Sequence, residues 1–259
     1  MFEWITSLGR RTSLGQRIAG LALAATIWWL TAGAPAHADT PVDLRLVLAV
    51  DASGSVNDVR FELQKRGYSA AFRNRHVLNA IQSGARRAIA VTMMQWTGPA
   101  LQVQVVPWTL VQDAASMHVF AAAIDAAPRR LFSGGTSISG AIDQGVALLG
   151  QCPFQSPRSV IDISGDGGNN RGRPAAAARD EAVAAGIVIN GLPILELEPT
   201  LDVHYQHNVI GGPNSFMVPA STFEEFADAI LKKLITEIAD LGGPPRPLAS
   251  NTQKACSTC

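Results

Sequence analysis

Five oxygen-bearing side chains are spaced so that they could converge on one hard cation. Asp51, Ser53 and Ser55 alternate in D-A-S-G-S (51–55) directly after an apolar run, and Gly54 loosens the turn between them. One carboxylate and two hydroxyls can therefore aim at a single point. Thr136 lies in S-G-G-T-S (133–137), where two glycines lead into a helical segment, and Asp166 lies in S-G-D-G-G (164–168), after another apolar run. Two carboxylates and three hydroxyls, without imidazole or thiolate, suit Mg²⁺ or Mn²⁺ rather than zinc. With so few anionic ligands the ion keeps much of its charge, leaving a position open to an acidic group on a partner. A lone D-x-S-x-S is also ordinary turn chemistry; three such loops at successive strand ends argue for a site.

The elements that must position these loops alternate between short apolar runs and helical periodicity, the pattern of a mostly parallel sheet covered on both faces. Strands are predicted at 44–50, 88–96, 101–106, 159–164 and 186–195. Helices are predicted at 58–73, 76–87, 113–127, 137–149 and from Pro174 to before Gly186. Thr97-Gly98-Pro99 reads as a hairpin. Leu101, Val103 and Val105 alternate with Gln102 and Gln104, as in a half-exposed edge strand. Phe223, Phe226, Ile230, Leu231, Leu234 and Ile238 keep helical spacing, with Ser221 and Glu224 as a capping box. Residues 197–214 form a long loop before a sixth strand, longer than most connections. In an open parallel sheet ligands gather at the carboxyl ends of the strands, which is where all three donor loops fall.

Residues 1–38 have the parts of a secretory signal: basic Arg10, Arg11 and Arg17, an apolar run from Ile18 to Leu30, and Ala36-His37-Ala38 before the cut. That run is 13 residues long, against about 20 for a membrane span, so no stable span is expected after cleavage. The chain of 259 residues has 21 basic and 21 acidic side chains. Without residues 1–38, which hold three arginines and one glutamate, it has 18 and 20. Nothing in that balance supports nucleic-acid binding. The expected organisation is a signal peptide (1–38), one α/β domain (39–241) and a flexible tail (242–259), in a periplasmic or extracellular protein. Three cysteines, Cys152, Cys256 and Cys259, are too few for a disulfide framework.

On the five donor residues the chain resembles a von Willebrand factor type A (VWA) domain, and the donors resemble its metal-ion-dependent adhesion site (MIDAS). Asp51, Ser53 and Ser55 match the D-x-S-x-S motif, Thr136 the second-loop threonine and Asp166 the third-loop aspartate. The resemblance spans about residues 42–240. It implies a Rossmann-like three-layer sandwich with about six strands, mostly parallel, and one antiparallel edge. It also implies that the serines touch the ion directly and that a partner's carboxylate completes the coordination. The run N-V-I-G-G-P (208–213), with Phe216, resembles a branch of exported bacterial VWA proteins of unknown function. The third loop departs from the usual T-D-G, reading Ser164-Gly165-Asp166-Gly167. Asp162 is expected to point across the sheet, satisfied by backbone or hydroxyl donors, rather than to orient a metal ligand.

Other chemistries find less support. An aspartyl-phosphate phosphatase needs D-x-D where Ser53 stands, and Gly135-Thr136-Ser137-Ile138-Ser139 misses the G-x-S-x-G of a serine hydrolase. There is no G-K-[ST] and no G-x-G-x-x-G after a strand. His204 and His207 read as exposed or loop-packing, and Asn169, Asn170 and Arg171 as turn residues or a ligand rim. The sequence thus points to an exported, divalent-cation-dependent module that binds a protein and is not an enzyme. A metal-dependent hydrolase, or a scaffold whose metal is structural, are the alternatives.

Overall fold

The computed structural model describes residues 40–239. The expected signal segment and tail, with Cys256 and Cys259, lie outside them. In chain order the elements are β1 (Thr40–Pro41), β2 (Leu44–Asp51), α1 (Asp58–Ala71), α2 (Arg75–Gln82), β3 (Ile89–Trp96), β4 (Gln102–Val111), α3 (Ala114–Ala126), α4 (Ile138–Gly150), β5 (Phe154–Gln155), β6 (Ser159–Gly165), α5 (Ala175–Ala184), β7 (Val188–Pro193), α6 (Leu201–Asn208) and α7 (Phe226–Ala239).

The main sheet runs β4-β3-β2-β6-β7, and β1 pairs separately with β5. β2 is parallel to β3 and β6, β6 is parallel to β7, and only β4 is antiparallel. Because β2 lies mid-sheet, its alternate side chains feed two cores. Leu44, Leu46, Leu48 and Val50 pack with Phe61, Tyr68, Phe120, Phe226 and Leu234 from α1, α3 and α7. Val47 and Ala49 pack with Ile138, Ile142, Ala178 and Tyr205 from α4, α5 and α6. The result is the expected three-layer α/β sandwich. No helix among the described residues is long and apolar enough to cross a membrane.

The hairpin closes as read, with Thr97 N–H donating to Leu101 O at 3.0 Å. The edge strand then runs on through Pro107 to Val111, with irregular register opposite Met93. An edge strand can accept Pro107, because the missing N–H there costs no ladder bond.

Three local expectations change. The long segment 197–214 is not a plain loop, since it holds α6, anchored by the buried Leu201 and Tyr205. The sixth strand reduces to isolated bridges, Gly191↔Met217 and Ile194↔Ala220. Pro219 lies between them and has no N–H to extend the ladder. The Ser221–Glu224 capping box does not form: Ser221 N–H donates instead to Glu225 Oε2 at 3.1 Å, and α7 begins only at Phe226.

Candidate metal centre

The first donor loop is shaped by its own carboxylate. Asp51 Oδ1 accepts the Ser53 N–H at 2.7 Å, which curls the chain back on itself. Ala52 N–H ties the loop to Trp96 O at 3.0 Å, and Asn57 then caps α1 through Arg60 N–H at 2.9 Å. The turn sets Ser53 Oγ 3.2 Å from Ser55 Oγ. Ser55 Oγ in turn donates to Asp166 Oδ1 at 2.6 Å, across 111 residues of sequence.

The second loop turns through Gly134 and Gly135, at φ of 125° and 85°, a backbone region that side chains with a Cβ rarely adopt. Ser137 caps α4 by accepting the Gly140 N–H at 3.1 Å, leaving Thr136 just ahead of the helix. Thr136 N–H donates to Asn170 Oδ1 at 3.0 Å, and Asn169 Oδ1 accepts Ser139 N–H at 3.1 Å. The two asparagines therefore staple the third loop to the second. Arg171 is exposed beside them.

The third loop explains its departure from T-D-G. A Cβ on Gly165 would stand 2.9 Å from Asp51 Oδ2, 3.0 Å from Tyr205 Oη and 3.1 Å from Trp96 Cζ2. Only glycine lets the end of β6 approach Asp51 so closely. Asp166 N–H then points to Asp51 Oδ2 at 3.4 Å. Thr136 Oγ1 lies 3.9 Å from where a Cβ on Gly167 would sit. All five sequence-derived donors thus come to the same sheet edge. Asp51, Ser53, Thr136 and Asp166 are buried and Ser55 is exposed, so the cluster opens to solvent on one side.

The electrostatics of this cluster are dominated by its two carboxyls. Burial, followed by the neighbouring Asp166, pushes the Asp51 carboxyl up to about 7, against the pull of the Ser53 N–H. Burial also raises Asp166, opposed by the Ser55 hydroxyl and Arg60. Asp166 Oδ2 is buried with no hydrogen-bond partner. Two buried carboxylates side by side, one with an orphaned oxygen, fit a divalent cation that would remove both penalties.

Several nearby groups were not signalled by the motif. Glu198, ahead of α6, accepts the Gly168 N–H on Oε2 at 3.0 Å. Tyr205 buries an unpartnered hydroxyl beside Asp51. His204 offers Nε2 to the Asn169 N–H at 3.5 Å, while His207 is exposed. Among the described residues no group of three or more His, Cys, Asp or Glu gathers around a point.

Asp162 points across the sheet as expected, but its partner is neither backbone nor hydroxyl. Lys233 Nζ lies 2.6 Å from Asp162 Oδ1 and 3.3 Å from Glu237 Oε2, all three side chains fully buried. Asn190 Nδ2 donates to Glu237 Oε1 at 2.8 Å. Lys233 and Glu237 fall on the same helical face as Ile230, Leu234 and Ile238, so the period of α7 was the available signal.

Comparison with known proteins bears on the fold. A family model described as a protein of unknown function (DUF1194) matches residues 41–242. No curated protein is significantly similar in sequence. Proximal thread matrix protein 1 from the mussel byssus matches in structure with a TM-score of 0.55 at 15% identity, over 79% of this chain and 49% of that one. Another structure of that protein, with zinc in its MIDAS motif, matches with a TM-score of 0.54 at 14% identity, over 78% of this chain and 47% of that one. The vWF domain of the type V pili tip protein Mfa5 from Porphyromonas gingivalis gives 0.52 at 11% identity, over 81% of this chain and 99% of that one. This chain spans about half the length of the mussel protein. At such identities the likeness establishes the fold, which is that of a VWA domain.

Proposed function

On the premise that this chain belongs to the DUF1194 family of proteins of unknown function and has a VWA fold, we propose that it is an exported, divalent-cation-dependent module that binds another protein. Asp51, Ser53, Ser55, Thr136 and Asp166 would hold Mg²⁺ or Mn²⁺. The observation that carries this reading is the orphaned, buried Asp166 Oδ2 beside an Asp51 pushed up to about 7, within a set of hard oxygen donors. When bound, the ion supplies a residual positive charge and an open position to an acidic side chain of the partner.

The protein's own residues divide the work. Asp51 fixes the first loop through the Ser53 N–H and so orients both serine hydroxyls. Asn170 holds Thr136 against the third loop. Trp96, Tyr205 and the end of β6 close the floor beneath Asp51 and exclude water from it. That His204 lends Nε2 to a loop N–H supports a binding rather than a hydrolytic role. The mussel relative and the Mfa5 domain, a matrix protein and a pilus-tip domain by name, support the same class by analogy.

Calorimetric titration of the chain with Mg²⁺ and Mn²⁺, beside Asp51→Ala, tests the site. Saturable binding by the wild type that Asp51→Ala loses is the expected result. Equal binding by both proteins would refute the assignment. Metal-dependent turnover in an esterase and phosphatase screen, abolished by Asp166→Ala, would overturn the non-enzymatic reading.

A further inference from the structure

We propose that Glu198 is an intrinsic acidic ligand of this centre, occupying toward the cation the place that a partner's carboxylate must take. The inference rests on the cation-site reading above and adds a residue that the D-x-S-x-S, threonine and aspartate pattern does not contain.

Glu198 is held over the centre at one oxygen and unengaged at the other. Its Oε2 accepts the Gly168 N–H at 3.0 Å, while no described residue hydrogen-bonds Oε1. Oε1 lies 3.6 Å from the point where a Cβ on Gly167 would stand, and Thr136 Oγ1 lies 3.9 Å from that same point. The free oxygen of Glu198 and the Thr136 hydroxyl thus flank Gly167, with no side chain between them. The residue before is Asp166, whose Oδ2 is buried and unpartnered. Glu198 and Thr136 thus leave acceptor oxygens on either side of Gly167, next in the chain to Asp166. The guanidinium of Arg60 is engaged with Glu196 and with Ser55 O.

The backbone around Glu198 is fixed to the same loop. Leu201 N–H donates to Glu198 O at 3.0 Å, starting α6. One turn on, His204 takes the Asn169 N–H, and Tyr205 lodges beside Gly165 and Asp51. The carboxylate therefore stands in the exposed loop just ahead of a short, anchored helix. A third carboxylate neutralises more of a divalent ion's charge, which strengthens metal retention and weakens attraction for an incoming acid. An acidic partner then binds by displacing Glu198, and weak carboxylates fail to do so.

Glu198→Gln tests this, because the amide oxygen can still accept the Gly168 N–H while the charge is lost. The full chain is titrated with Mn²⁺ by calorimetry, and water-proton relaxation reports the waters on the bound ion. Acetate, standing in for a partner's carboxylate, is then titrated into the Mn²⁺-loaded proteins. The expected result is Mn²⁺ affinity weakened about tenfold, one additional exchangeable water on the ion, and tighter acetate binding. Unchanged Mn²⁺ affinity, water count and acetate binding would make Glu198 a loop cap and overturn the proposal. Asp51→Ala separates the two readings. If it leaves Mn²⁺ binding intact, the cation site itself fails; if it abolishes binding while Glu198→Gln changes nothing, only the intrinsic ligand fails.

Discussion

Replacing Lys233 by Met removes the cation from a fully buried cluster that also contains Asp162 and Glu237. At separations of 2.6 and 3.3 Å, the two attractions amount to about 6 and 5 kcal/mol for an effective dielectric near 20. Most of this offsets the cost of burying three charges. Breaking such a pair by removing one partner typically leaves a loss of about 3–5 kcal/mol. Methionine fills the volume of the lysine stem, so the loss reports the stranded carboxylates rather than a cavity. Burial, with Glu237 adding to it and Lys233 opposing it, already pushes Asp162 up to about 7. A carboxyl raised in the folded state binds a proton that the unfolded chain releases. Its contribution is therefore full below pH about 4 and is lost as pH rises through the folded value. Without Lys233 that value climbs further, and the gap between wild type and variant widens from pH 5 to pH 8. Urea unfolding followed by circular dichroism at the two pH values measures this gap. Adding Asp162→Asn should restore at least half of the loss at pH 8. A Lys233→Met protein within about 1 kcal/mol of wild type at pH 8 would refute the reasoning, as would a double variant with no recovery.

At the metal centre, Gly165→Ala drives a methyl against Asp51 Oδ2, Tyr205 Oη and Trp96 Cζ2. We expect a cost of about 1–3 kcal/mol in urea unfolding and at least a tenfold loss of Mn²⁺ affinity; full affinity would disprove the need for close approach. With Asp51 at about 7 in the metal-free chain, loading displaces a proton. Mn²⁺ affinity should rise between pH 5.5 and 7.5 and then level off, with proton release visible from calorimetry in buffers of different ionisation enthalpy. A flat profile counts against a raised Asp51. By the same sign, the Asp51 contribution to metal-free stability declines as pH rises toward 7, and saturating Mn²⁺ should cancel that decline. Asn170→Ala leaves the Thr136 N–H without its acceptor and should cost about 1–3 kcal/mol while weakening Mn²⁺ binding. Unchanged binding would show that Thr136 needs no staple.

The repeating patterns were legible because they are local. Alternation along 101–106 marked the edge strand, and the Thr97-Gly98-Pro99 turn placed its hairpin. The 3.6-residue period of 226–238 marked α7, and Asn57, Asp113 and Ser137 sit as caps at the starts of α1, α3 and α4. The misreadings came where a proline or a distant partner decided the outcome. Pro219 broke the sixth strand into bridges, and the burial of Leu201 and Tyr205 against the sheet turned part of 197–214 into α6.

By itself the sequence determined the chemistry available: hard oxygen donors in three loops, each placed by a strand end or helix cap formed from its immediate neighbours. Tertiary structure alone decided which of those groups meet. The β3-β2-β6-β7 order sets Ser55 against Asp166 and Asp51 beside the glycine that ends β6. It also brings Glu198 over Gly167 and lays Lys233 on Asp162. The physical reason is one of range. Helical and strand periods are set by backbone hydrogen bonds a few residues apart, whereas charge pairing depends on ångström separations that only the crossovers of the sheet create.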